Sequence, residues 1–115
     1  MKGEFIMKKA FITVSGMDFY CGNDFVQPGM EIAVTLKKEP DNEYDKEAIL
    51  VWTEGLGDIG HVANSWKTVV GDTMSAGRLY DKIGDTAEGV IRYVVPQGVI
   101  VEVDPESMIY QPRED

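Results

Sequence analysis

Residues 31–62, EIAVTLKKEPDNEYDKEAILVWTEGLGDIGHV, read as three short strands joined by two turns, and that reading decides the fold. Over residues 31–38 Ile32, Val34 and Leu36 fall on one face, with Glu31, Ala33, Thr35 and Lys37 on the other. Side chains alternate between the two faces of a strand, so this pattern predicts a strand with its apolar face inward. An acidic turn follows. Pro40 pre-sets its own backbone angle, and the short side chains of Asp41 and Asn42 hydrogen-bond nearby backbone, which predicts a tight bend around Asp41. Ala48, Ile49, Leu50 and Val51 are then apolar on both faces, the mark of an interior strand that ends near Trp52. Residues 54–57 turn the chain into a hairpin with 58–62.

Working outward, residues 8–15 alternate weakly, with Ala10, Ile12 and Val14 on one face, and predict a strand that Gly16 ends. The density of Gly, Asn, Asp and Pro over 17–29 predicts a loop. Phe19, Tyr20 and Phe25 are too apolar to be wholly exposed, which places that loop over one end of a barrel. Asn64 is in position to cap a helix whose Trp66, Val69, Val70 and Met74 share one side and which ends near Gly77. Residues 81–85 read as a turn, and 86–95 with 99–103 as a second hairpin closed by Pro96, Gln97 and Gly98. The tail, 105–115, is expected to be loose, with Met108, Ile109 and Tyr110 available to cover a barrel edge. The whole is mainly β with one short α-helix: a small, OB-like or SH3-like, partly open β-barrel of five to six strands.

A chain of 115 residues is expected to form a single domain over 1–115, with a core that needs neither metal nor disulfide. Its one cysteine, Cys21, excludes an internal disulfide and a cysteine-rich zinc site. No apolar run approaches the roughly 20 residues of a membrane span and no signal core opens the chain, so a soluble cytoplasmic protein is expected. Met7 offers a second start site. The net charge of -9 excludes a protein that coats nucleic acid, since that affinity comes from neutralising many phosphates. A binder of one strand end needs only a few phosphate contacts plus base stacking. Lys37, Lys38, Lys67 and Arg78 are the cations available for such a cradle; a solvated surface charge is the other reading of each.

The pattern E-P-x-N-x-Y-D-x-x-A-I-x-V at 39–51 is followed by an apolar-Gly-His-Val step at Ile59, Gly60, His61 and Val62. Leu36, Lys37 and Lys38 precede it at a strand end. Further upstream, Val14, Ser15, Gly16, Phe19 and Tyr20 form a strand ending in a glycine and an aromatic pair. Together these resemble the HIRAN domain, over residues 11–74, with the E-P-x-N-x-Y-D core the specific part. The resemblance implies the same OB-like barrel, here as a bacterial-type domain standing alone. The helicase-like and zinc-binding modules that carry catalysis in relatives are not part of the sequence, and neither enzyme activity nor a cofactor is expected. It further implies capture of a single-stranded DNA 3' end, in the setting of DNA repair. Tyr44 would stack on the terminal base, with Phe19, beside Tyr20, as a second aromatic. Asp45 would accept the 3' hydroxyl, a donor that an internal nucleotide lacks. Asn42 would bond the end nucleotide or its phosphate, and His61 a phosphate, with Lys38 among the cations available beside them. Two positions depart from the relatives: Asp18 stands where they place an arginine, and Asn64 where they carry a lysine. Lys67, one helical turn after Asn64, is the candidate replacement.

The same residues support other readings. Asn and Asp at a strand entrance commonly hold the loop through its own backbone, and Tyr44 fits a half-buried tyrosine with a bonded hydroxyl. His61 beside Asp45 or Asp58 suits a carboxylate-oriented base, although no nucleophile motif accompanies it. Asp41, Asp45 and His61 lack the spacing of metal ligands. A protein-interaction module or homo-oligomer is the remaining class, an acidic face selecting a basic patch with Phe19, Tyr20, Phe25 and Tyr44 as apolar anchors.

Overall fold

The computed structural model describes residues 9–20, 26–27 and 30–109, with the side chain of Phe19 excepted. The expectations for Met7, Lys8, Cys21, Phe25 and Tyr110 lie outside the described residues. Six strands run in chain order: β1 (Ala10–Ser15), β2 (Ile32–Lys38), β3 (Ile49–Thr53), β4 (Gly57–Val62), β5 (Thr86–Val95) and β6 (Gly98–Val103). One helix, α1 (Ala76–Tyr80), and two 3-10 turns, Met17–Phe19 and Pro105–Ser107, complete the described elements. The ring order is β1-β4-β3-β2-β5-β6, antiparallel throughout, and β6 returns to β1. The barrel is therefore closed where the sequence suggests partial opening.

Alternation sends Val34 and Leu36 of β2, Ile49 and Val51 of β3, and Val99 and Val101 of β6 into one core with Ile12, Val14 and Ile91. All of these are at most 1% exposed. Burying each such side chain contributes about 1.5–3 kcal/mol, so the alternating strands carry most of the stability. β3 departs from its expectation: Leu50 and Trp52 are only half-buried on its outer face, where the Lys37 ammonium lies 4.9 Å from the Trp52 ring centre.

Closure is uneven. β1 pairs with β6 from Ala10 opposite Val103 to Val14 opposite Val99, but meets β4 only at Val14–Val62 and Ser15–His61. The segment after β4 completes that seam: Ala63 N donates to Thr13 O at 2.8 Å and Met74 N to Phe11 O at 2.7 Å. Thr13 faces outward on β1 yet is fully buried beneath this segment. Its hydroxyl lies 2.8 Å from that of Thr73, which donates to Val70 O, and it accepts from Val70 N at 3.2 Å. The buried Thr13 hydroxyl is thereby satisfied, avoiding a penalty of about 1–3 kcal/mol. At the same seam Gly60 leaves no room for a side chain: a Cβ there would sit 2.7 Å from Ser15 O and 2.8 Å from Val14 Cγ1. The glycine of the Gly-His step is thus required by strand approach.

The helix expected over 64–77 does not form. Only one turn closes, with Thr68 N and Val69 N both donating to Ser65 O, before Gly71 takes a φ of 53° and reverses the chain. The β-branched run Thr68, Val69 and Val70 disfavours continuation, and the backbone of Met74 pairs with β1 instead. The helix begins at Ala76, with Ser75 Oγ accepting from Arg78 N at 3.3 Å, and it buries Ala76 and Leu79. Trp66, expected on an apolar face, is 85% exposed. Met108 bridges to Ile83, and Ile109 N donates to Lys82 O, so this part of the tail is tied down.

Candidate nucleic-acid interface

The turn between β2 and β3 is held by its own side chains. Glu39 N donates to Ala48 O and Ala48 N to Asp45 O, which closes its base. Asn42 Oδ1 accepts from Tyr44 N at 2.8 Å and from Asp45 N at 3.0 Å, while its Nδ2 donates to Glu39 Oε1 at 3.2 Å. Asn42 is therefore a brace, the structural role that short amide side chains take in turns. The braced backbone presents the Tyr44 ring to solvent, 94% exposed rather than half-buried. Asp45 is half-buried; Oδ1 accepts from Glu47 N and Oδ2 from Asn64 Nδ2, both at 2.9 Å.

β4 brings His61 to the same turn, opposite Leu50 of β3 and Ser15 of β1. Its Nε2 lies 2.8 Å from Glu39 Oε1, and its Nδ1 lies 3.5 Å from the Tyr20 hydroxyl. With the proton on Nε2 shared to the carboxylate, Nδ1 is left to accept from the phenol. Desolvation raises the pKa of Tyr20 above the ordinary 10.0, helped by the negative charges of Asp58 and Glu39. One chain of hydrogen bonds thus runs from Tyr20 through His61, Glu39 and Asn42 to the Asp45 amide, and from the Asp45 carboxylate through Asn64 to Gly77 N at 2.8 Å.

The HIRAN domain model matches residues 7–101. The chain belongs to the HIRAN domain family. The match extends past the end of the motif-level resemblance and takes in β5 and most of β6. The HIRAN chain is similar in fold to the crystal structure of the HIRAN domain of human HLTF. The TM-score is 0.54, with 22% identity over 84% of this chain and 72% of that one. A comparison with curated proteins finds no match. HIRAN domains are nucleic-acid-binding modules, and DNA is what they bind.

The other residues singled out from the sequence are dispersed. Lys38 turns from the network toward α1, donating to Ile83 O at 2.9 Å with its ammonium 4.4 Å from the Tyr80 ring centre. The Lys67 ammonium lies 5.7 Å from the Trp66 ring centre on the exposed turn after β4. Asp18 is exposed in the 3-10 turn before Tyr20. Glu39, which joins His61 to Asn42, was legible only as the first letter of the motif. Asn64, where the resemblance leads one to expect a lysine, is one of the two donors that hold the Asp45 carboxylate. Acidic side chains crowd the turn, with Glu39, Asp41, Glu43, Asp45 and Glu47 against Lys46. Among the described residues, no group of three or more His, Cys, Asp or Glu is arranged to hold a metal, and no helix is long and apolar enough to cross a membrane.

Proposed function

We propose that this HIRAN domain captures the 3' end of single-stranded DNA, with the terminal base on Tyr44 and the 3' hydroxyl on Asp45. The observation that supports this most is the pairing of a 94% exposed ring with a backbone fixed at its own amide and the next by Asn42. An aromatic on a preorganised backbone loses little freedom on binding, and a base stacked on it is worth about 1–3 kcal/mol. Each Asp45 oxygen has one partner, and a carboxylate offers about four acceptor positions, so it retains capacity for a hydroxyl. The Tyr20 hydroxyl lies 3.5 Å from His61 Nδ1, a weak contact that leaves this edge of the ring open to a further partner. In this reading residues 1–115 form one cytoplasmic binding domain with no catalytic step of its own.

The acidic crowding of the turn and the withdrawal of Lys38 favour a second reading, in which the same rim clasps a basic protein. Fluorescence anisotropy with a short strand ending in a 3' hydroxyl, set beside the same strand ending in a 3' phosphate, separates the two. End capture predicts about tenfold tighter binding of the hydroxyl strand, the worth of one charge-assisted hydrogen bond. Equal, weak binding of both strands that vanishes by about 0.15 M salt would leave only the protein partner.

A further inference from the structure

Beside the end site lies a groove of about 620 Å³ whose lining includes Asn64, Ser65, Trp66, Thr73, Ser75 and Arg78. We infer that it holds the nucleotide preceding the terminal one, with that base on Trp66 and its phosphate on Arg78. The inference rests on the end-capture reading and extends it by one nucleotide.

Continuity is the first argument. Asn64 belongs to the groove lining and also donates to Asp45 Oδ2 at 2.9 Å, so the groove begins one side chain from the acceptor assigned to the 3' hydroxyl. The second is the tryptophan. An indole 85% exposed contributes nothing to the core, and the turn that carries it displays a flat apolar face beside a polar floor. The third is charge. Among the described residues the Arg78 guanidinium has no carboxylate partner, whereas Arg92 is engaged by Glu102 at 2.9 Å and Glu31 at 3.3 Å. A guanidinium fork matches phosphate oxygens in geometry as well as charge. Arg78 is the one cation among the described residues of the lining, set against the single carboxylate of Asp72, which opposes an anion beside it. The volume falls in the range of small-ligand sites.

The test uses the whole chain and a short, 5'-labelled thymidine strand with a 3' hydroxyl. Trp66→Ala and Arg78→Gln are each expected to weaken binding at least about fivefold, the lower end of what losing a base–aromatic stack costs. Both variants should keep the preference for hydroxyl over phosphate, and thermal melts should match wild type because both side chains lie at the surface. Affinities within error of wild type, with the hydroxyl preference intact, would overturn the groove assignment alone. A wild-type protein without that preference overturns end capture itself, a result read before any variant is compared.

Discussion

The amide of Asn64 holds the carboxylate of Asp45 at 2.9 Å, while its oxygen accepts from Gly77 N at 2.8 Å. One uncharged side chain therefore orients the acceptor of the candidate site and ties it to the start of α1. The HIRAN resemblance leads one to expect a lysine at this position, and an uncharged brace stands there instead.

Asn64→Lys should separate these two jobs. The Gly77 amide loses its acceptor, and stability is expected to fall by about 0.5–1.5 kcal/mol in urea melts. The strand should bind more tightly, with a salt dependence steeper by about one phosphate contact. Unchanged salt dependence would remove this position from the DNA path.

Asn42 and Tyr44 should divide stability from binding. Asn42→Ala removes the acceptor for two backbone amides and a donor to Glu39, and is expected to cost about 1–3 kcal/mol. Tyr44→Ala changes a side chain in solvent, and its stability should stay within about 0.5 kcal/mol of wild type while the hydroxyl-ended strand is lost. Denaturant melts run beside anisotropy distinguish the two variants.

The parts legible in the sequence are those set by near neighbours. The alternation of Ile32, Val34 and Leu36 and the turn residues before Asp58 and at Pro96 fixed strands and hairpins, because period and turn chemistry are local. The apolar spacing of Trp66, Val69, Val70 and Met74 misled, because Gly71 and the pairing of Met74 with β1 outweigh it. The link from His61 to Glu39 was hidden for a different reason: it spans 22 residues and exists only because the β3–β4 register places His61 opposite Leu50. Lys38 was recognisable as a cation, but its direction is set by Tyr80 and Ile83, far along the chain.

Gly60→Ala should be strongly destabilising although it adds one methyl group. That methyl meets Ser15 O and Val14 Cγ1 at the short β1–β4 seam, where backbone cannot yield cheaply. A loss of about 1–3 kcal/mol is expected, read as a lower urea midpoint, and His61 should shift with the strand. A midpoint equal to wild type would mean that the seam opens to accommodate the methyl.

Alkaline pH should report on Tyr20. Desolvation, with Asp58 and Glu39, makes the folded state hold the phenol proton more tightly than the unfolded chain does. The associated stability is whole below the ordinary value of 10.0 and is lost as pH rises through the higher folded-state value. Phenolate absorbance should show one tyrosine ionising late, and Tyr20→Phe should flatten the alkaline loss of stability. An identical alkaline limb in the variant would refute the assignment.

The central claim, that Asp45 receives the terminal hydroxyl, is tested most directly by a cycle of two changes: Asp45→Asn in the protein and a 3'-deoxy terminus in the strand. If the two groups touch, removing the hydroxyl weakens wild type by about tenfold and the variant far less, a coupling of at least about 1 kcal/mol. Equal losses in both proteins, with no coupling, would contradict the account.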